Sequence, residues 1–288
     1  MNALRLLLAE GNTRDRVEAT EAAGGRSGVD SFKVILDGVA SDAIVDVVNP
    51  ADADAVLPKG AALDGYHGFM MSGSALNIPG GEDDPRVRRQ IDLAKAVFKA
   101  GVPFWGSCWG LQVAVAAAGG TVRANPKGCE MVVARKVRLT EAGAGHPLYT
   151  EKPMVFDAPA VHVDEIETLP AGAELLASND FSTVQGAAFK VGKSEFWGVQ
   201  YHPEFDMDDM SLLVLRYTQR LIDQGFFKTE AEAKAHAERL HAVHMEPERK
   251  DLAWALGIDG DILNKSRRWR EIANWIEHAV RRRARDAG

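Results

Sequence analysis

The feature that most constrains this chain is the run Gly106-Ser107-Cys108-Trp109-Gly110, set between the apolar segment Val102-Pro103-Phe104-Trp105 and a helix-forming stretch through residue 118. A strand that turns sharply into a helix needs small residues on both sides of the turn. The backbone at the apex is strained there and its neighbours pack closely. Cys108 falls at that apex. Such a turn lifts the side chain off the strand end and aims the N-terminus of the next helix at the sulfur, where the dipole favours thiolate. The first N–H groups of that helix, Trp109 among them, have no intrahelical acceptor and can serve a developing oxyanion. A lone free cysteine is ordinarily a buried small apolar residue, so the turn needs a partner motif to carry chemistry.

That partner is His202-Pro203-Glu204, which follows the strand-like run Glu195 to Gln200. Proline restricts the backbone between the imidazole and the carboxylate. A one-residue link of this kind can hold the carboxylate on one ring nitrogen and leave the other for the sulfur, so that the acid sets tautomer and orientation. Cys108, His202 and Glu204 therefore make up a nucleophile, a base and an orienting acid.

These residues resemble the class I, triad-type glutamine amidotransferases. The nucleophile motif Cys-x-Gly-x-Gln is matched by Cys108, Gly110 and Gln112, and the His-Pro-Glu motif by His202, Pro203 and Glu204. The order also agrees: a glycine-containing loop, Met71-Ser72-Gly73-Ser74, follows the apolar Gly68-Phe69-Met70 and precedes both. The resemblance covers roughly residues 4–207 and is strongest to the glutaminase part of GMP synthetase and to stand-alone proteins similar to it. It implies oxyanion donors at Gly73 and Trp109 and substrate contacts at Gln112 and Ser74. It also opens a substrate role to Glu130, since Cys129-Glu130 stands where related sequences carry an Arg-Glu pair. Cys129 reads as a departure without chemistry, and Ser107 as structural, on the far side of the turn. His162-Val163-Asp164 resembles a segment of the same subgroup and is read as supporting or structural.

One departure bears on function. Relatives that feed a synthetase commonly carry Gly-Gly-Pro at the oxyanion loop, whereas this chain has Gly73-Ser74-Ala75. The serine form looks more like the stand-alone γ-glutamyl peptidases of the superfamily. The implied reaction is cysteine-dependent hydrolysis of a γ-glutamyl carboxamide through a thioester, releasing ammonia or an amine. Its small-molecule substrate is glutamine or a γ-glutamyl compound. A glutaminase serving a separate synthetase partner, a stand-alone γ-glutamyl peptidase or amidase, and a regulatory protein on the same fold are the alternatives. The residues present include no phosphate-cradling glycine loop, so the resemblance to GMP synthetase reaches only its glutaminase part. No cofactor and no metal are expected.

Composition fits such an enzyme. The chain has 288 residues, 46% of them hydrophobic, enough for one large core. A net charge of −7 argues against general nucleic-acid binding. Two cysteines make no disulfide framework, and a catalytic thiol suits a reducing, cytoplasmic compartment. Leu4 to Ala9 is too short for a signal core and Glu10 follows it. No run reaches membrane-spanning length.

Periodicity predicts an α/β fold, an open and mainly parallel sheet with helices on both faces. This is the flavodoxin-like arrangement that the resemblance also implies. Strands are predicted at 4–9, 43–48, 67–72 and 102–106. Helices are predicted at 29–36 (broken by Gly38), 84–100 and 109–118. Short strands follow at 131–139, 154–158, 161–163, 174–177, 185–189 and 196–200. The domain expectation is a catalytic unit at 1–207 and a helical extension at 208–288, with helices at 212–222, 231–243, 251–256 and from about Ser266. Trp269, Ile272, Ile276 and Val280 recur at helical spacing, so the last helix should pack back on the sheet, a homodimer contact being the alternative. The basic run Arg281 to Arg285 reads as a solvated helix end, and His236, His241 and His244 as surface histidines.

Overall fold

The computed structural model describes residues 3–287. In chain order the strands are β1 (Arg5–Ala9), β2 (Ile44–Val48), β3 (Gly68–Met71), β4 (Phe104–Ser107), β5 (Thr121–Ala124), β6 (Glu130–Leu139), β7 (Val155–His162), β8 (Asp164–Thr168), β9 (Glu174–Ser178), β10 (Gly186–Val191) and β11 (Ser194–Val199). Among the described residues, nine of them form one sheet in the order β2-β1-β3-β4-β11-β10-β9-β6-β7, and β5 pairs with β8 apart from it. The half from β2 to β11 is parallel and the half from β11 to β7 is antiparallel. β3 and β4 are buried at every residue, as expected of parallel strands covered on both faces.

The helices are α1 (Arg14–Ala22), α2 (Gly28–Val39), α3 (Pro85–Lys99), α4 (Trp109–Ala117), α5 (Glu141–Gly145), α6 (Met207–Arg216), α7 (Thr218–Asp223), α8 (Glu230–Met245), α9 (Lys250–Leu256), α10 (Gly260–Leu263), α11 (Lys265–Arg268), α12 (Arg270–Trp275) and α13 (Arg281–Ala287), with a π-helical turn at Ile276–Val280. On one sheet face α3 and α4 bury Val87, Leu93, Val97 and Leu111 against Phe69, Phe104 and Phe196. The other face is covered by α2 and by the C-terminal helices, whose Ile272, Trp275, Ile276 and Val280 join Leu6, Leu8, Met70 and Trp105. The C-terminal apolar stripe therefore packs back on the sheet. A third cluster joins Met131 and Val133 of β6 to α6, α8, α9 and α10.

Several local readings change. α2 runs through Gly38 instead of ending there. A side chain at that position would lie 3.0 Å from the Trp269 ring, so the glycine makes room for packing and is no helix stop. Residues 161–163 are not a strand of their own, because β7 runs to His162 and β8 begins at Asp164. The helix expected at 212–222 starts earlier, at a capping box formed by Asp206 and Asp209, and is divided at Tyr217 into α6 and α7. α1, β5 and β8 were not anticipated. α1 has no buried residue, and so no core-facing stripe to betray it. Three of the four arginines in the basic run meet partners in the chain: Arg281 pairs with Asp42 and Glu277, Arg282 with Glu195, and Arg283 donates to the carbonyls of Tyr66 and Gly101.

Candidate active site

Cys108 sits between β4 and α4 with φ 49° and ψ −101°, a backbone conformation that non-glycine residues rarely adopt. Its N–H is anchored to the Val199 carbonyl of β11 at 2.8 Å. The flanking glycines are required by close approach. A Cβ on Gly106 would lie 2.4 Å from the Gly110 carbonyl carbon, and one on Gly110 would lie 2.4 Å from the Met71 oxygen. The helix can therefore start at the strand end only if both positions are bare. The thiol leans on the Val161 carbonyl at 3.6 Å.

β11 lies beside β4 with Val199 opposite Ser107, so the residues just past β11 arrive at the same sheet edge as Cys108. His202 donates its backbone N–H to the Pro159 carbonyl at 2.7 Å. Its ring stacks on Phe205, with centroids 4.2 Å apart and planes 7° from parallel. Nδ1 meets Glu204 Oε1 at 2.7 Å, while Nε2 is buried without a hydrogen-bond partner among the described residues. Burial pulls the imidazole pKa down, but the Glu204 carboxylate and the neighbouring Cys108 outweigh it and hold the value up at about 10. Gly73 lies against this ring, where an added Cβ would be 2.8 Å from Cε1. Trp109 begins α4, so its N–H has no intrahelical acceptor.

Ser107 needs correction. Its hydroxyl donates to Glu204 Oε2 at 3.0 Å and accepts from Trp105 Nε1 at 3.1 Å. It is thus joined to the acid and not turned away from it. Glu130 is placed inside the protein. It lines neither of the cavities around Cys108. Its Oε1 accepts from Asn179 at 2.6 Å, and its Oε2 accepts from Gln185 at 2.7 Å and faces His162 Nε2 at 2.8 Å. The carboxylate is spent inside the protein. His162 itself lines the first of these cavities, with Nδ1 on the Asp164 carbonyl at 2.9 Å.

That cavity, of about 660 Å³, is lined by Ser74, Cys108, Gln112, Cys129, His162 and Asp164 among others. Gln112 opens onto it, with long contacts of 3.4 Å to the Asp164 carbonyl and to Gln200. The Ser74 hydroxyl accepts from the Leu76 N–H at 3.1 Å. Burial pushes the Cys129 thiol up to about 11, so it is no competing thiolate. Burial also raises Asp164 to about 6.

Two residues escaped the sequence reading. Glu10, at the end of β1, accepts from the N–H groups of Asn12 and Val29 at 3.0 Å each, and from the Ser72 hydroxyl at 3.3 Å. Asn12 in turn accepts from the Ala75 N–H at 2.9 Å, so the two hold the Gly73 loop in place. The available signal was a carboxylate directly after an apolar strand. Of the remaining histidines, His241 and His244 pair with Asp208 and Asp206, and His236 packs near Phe227. Among the described residues no helix is long and apolar enough to cross a membrane.

The family model for class-I glutamine amidotransferases matches residues 46–218. A γ-glutamyl-L-1-hydroxyisopropylamide hydrolase of a Pseudomonas species is 33% identical over 287 residues, 97% of this chain and 94% of that protein. One subunit of the glutamine-hydrolysing GMP synthase of Methanocaldococcus jannaschii is 34% identical over 128 residues, 44% of this chain and 62% of that one. A solved glutamine amidotransferase from Methylobacillus flagellatus shares the fold with a TM-score of 0.64 at 17% identity, covering 96% of this chain and 95% of its own.

Proposed function

The chain belongs to the class-I glutamine amidotransferase family, and from that premise we propose that it hydrolyses γ-glutamyl amides by itself, with Cys108, His202 and Glu204 as the catalytic triad. The observation that carries the reading is the strained Cys108 turn beside a buried His202–Glu204 pair, at the ends of two adjacent parallel strands. Likeness to the Pseudomonas hydrolase runs along nearly the whole chain, the C-terminal helices included, whereas likeness to the synthase subunit covers less than half. This favours hydrolysis of a substituted amide over delivery of ammonia to a synthetase partner.

In this mechanism the γ-glutamyl group lies in the cavity of Gln112, Ser74 and Asp164. The Cys108 sulfur, as the thiolate of a thiolate–imidazolium pair, attacks the amide carbonyl carbon. The oxyanion is met by the N–H groups of Gly73 and Trp109. His202 Nε2 passes its proton to the amide nitrogen, the C–N bond breaks and the amine leaves. Water then attacks the thioester, giving its proton to His202, and glutamate and the thiolate are released. Glu204 keeps the ring oriented throughout and stabilises its charged form.

The test is release of amine from γ-glutamyl alkylamides by the purified protein alone, with Cys108→Ala as control. Hydroxylamine trapping reports the thioester. Cys108-dependent turnover supports the reading. No turnover until a synthetase is added, and then only of glutamine, would replace it with the reading of a glutaminase that serves a synthetase.

A further inference from the structure

A second cavity, of about 490 Å³, also reaches Cys108. The two cavities share Cys108, Ser74, Ala75, Asn12, Arg16, Val161 and Tyr217, but they divide the remaining chemistry. Gln112, His162 and Asp164 line only the first, while Gly73 and His202 line only the second. The group that protonates the departing nitrogen therefore faces the second cavity. Whatever is attached to that nitrogen must extend into it.

The walls specify what fits. Val17 of α1, Phe205, and Leu212 and Leu213 of α6 supply apolar wall. This also accounts for α1, a helix with no buried residue: Val17 and Thr20, one turn apart, line a cavity instead of entering the core. The lining also carries three arginines, Arg16 where the two cavities meet, and Arg26 and Arg216, which line only the second. Arg26 is neutralised by Asp206 and Asp209 at 2.7 and 2.6 Å. Arg16 and Arg216 have no carboxylate partner among the described residues. Arg16 donates to the Tyr217 hydroxyl at 2.8 Å, and Arg216 to Thr20 Oγ1 at 2.9 Å and to the Ala19 carbonyl at 3.3 Å. Burial and then the neighbouring Arg16 both push the Arg216 pKa down, so the two guanidiniums feel each other's charge. Guanidiniums only donate, and they bind carboxylates more strongly than neutral acceptors.

Resting on the hydrolase reading above, we propose that this second cavity is the leaving-amine subsite, and that it selects an amine with a compact branched apolar body and an acceptor at its far end, a carboxylate in preference to a hydroxyl.

The test uses four substrates that differ only in the amine: glutamine, γ-glutamyl isopropylamide, γ-glutamyl-L-1-hydroxyisopropylamide and γ-glutamyl-alanine. The expected order of kcat/KM rises from the first to the last. Leu212→Trp, which adds bulk to the apolar wall, should lower the ratio of γ-glutamyl-alanine to glutamine by about tenfold or more, on the scale of apolar-pocket discrimination. Arg216→Met should erase the advantage of the carboxylate over the isopropyl tip, and Arg216→Lys should restore part of it. Equal efficiency on all four substrates, a preference for glutamine, or parallel losses on all four in both variants would overturn the subsite and leave the hydrolase standing. Absence of Cys108-dependent turnover on every one of them would overturn both.

Discussion

Replacing Ser107 with alanine removes one hydroxyl and strands two buried groups. The hydroxyl is the donor to Glu204 Oε2 and the acceptor for Trp105 Nε1, at 3.0 and 3.1 Å. Ser107 and Trp105 are fully buried and Glu204 is 4% exposed, so water does not take its place without rearrangement. An indole N–H left unpaired costs about 1–3 kcal/mol, and a lost hydrogen bond to a carboxylate about 1.5–3 kcal/mol. Partial relaxation brings the expected loss to about 3 kcal/mol, against a total stability of roughly 5–15 kcal/mol, so the variant still folds. With a urea slope of about 3 kcal/mol per molar, the midpoint should fall by about 1 M. Activity should fall as well. Glu204 is then held only through Oε1 on His202, and a misplacement worth ~1.4 kcal/mol at the transition state lowers kcat/KM about tenfold. Paired urea melts and steady-state kinetics on one γ-glutamyl amide measure both. A stability within about 0.5 kcal/mol of the parent, together with an unchanged rate, would refute the claim that Trp105, Ser107, Glu204 and His202 act as one chain.

Three further outcomes are expected. Lys152 and Glu271 form a buried pair at 2.9 Å with side chains 3% and 0% exposed, and Tyr201, next to His202, donates to the same Glu271 oxygen at 2.7 Å. Lys152→Met should cost about 3–5 kcal/mol by leaving that carboxylate unpaired, and adding Glu271→Leu should recover most of it in a urea melt. The folded-state pKa of His202 is raised from 6.5 to about 10, so its contribution to stability is full below about pH 6.5 and is lost as the pH climbs towards 10. Urea midpoints across that window should fall more steeply for the parent than for His202→Asn, and parallel slopes would contradict the assignment. Gly38→Val should destabilise by about 1–3 kcal/mol through overpacking against Trp269, read as a lower Tm with little change in KM.

Much of the architecture was legible because it is written in short windows. Buried parallel strands read as apolar runs, α3 shows Asp84 as cap with Pro85 behind it, and the C-terminal stripe recurs at helical spacing. α1 was not legible, because a helix whose apolar positions line a cavity has no period to detect. β5 and β8 were missed because they pair only with each other, outside the main sheet.

The glycine-framed cysteine and the His-Pro-Glu triplet were determined by sequence alone, since bare flanks and a one-residue tether are local requirements that few other residues meet. What each polar group does once the chain is folded was decided by tertiary structure. Ser107 reaches a carboxylate 97 positions away. Glu130 is consumed by His162, Asn179 and Gln185. The arginines at 281–283 meet partners brought by other elements. The physical reason is the same in each case. A polar side chain takes its role from whichever groups stand within hydrogen-bonding reach, and that reach is set by which strand ends meet at one edge of the sheet, a relation between distant segments that no local pattern contains.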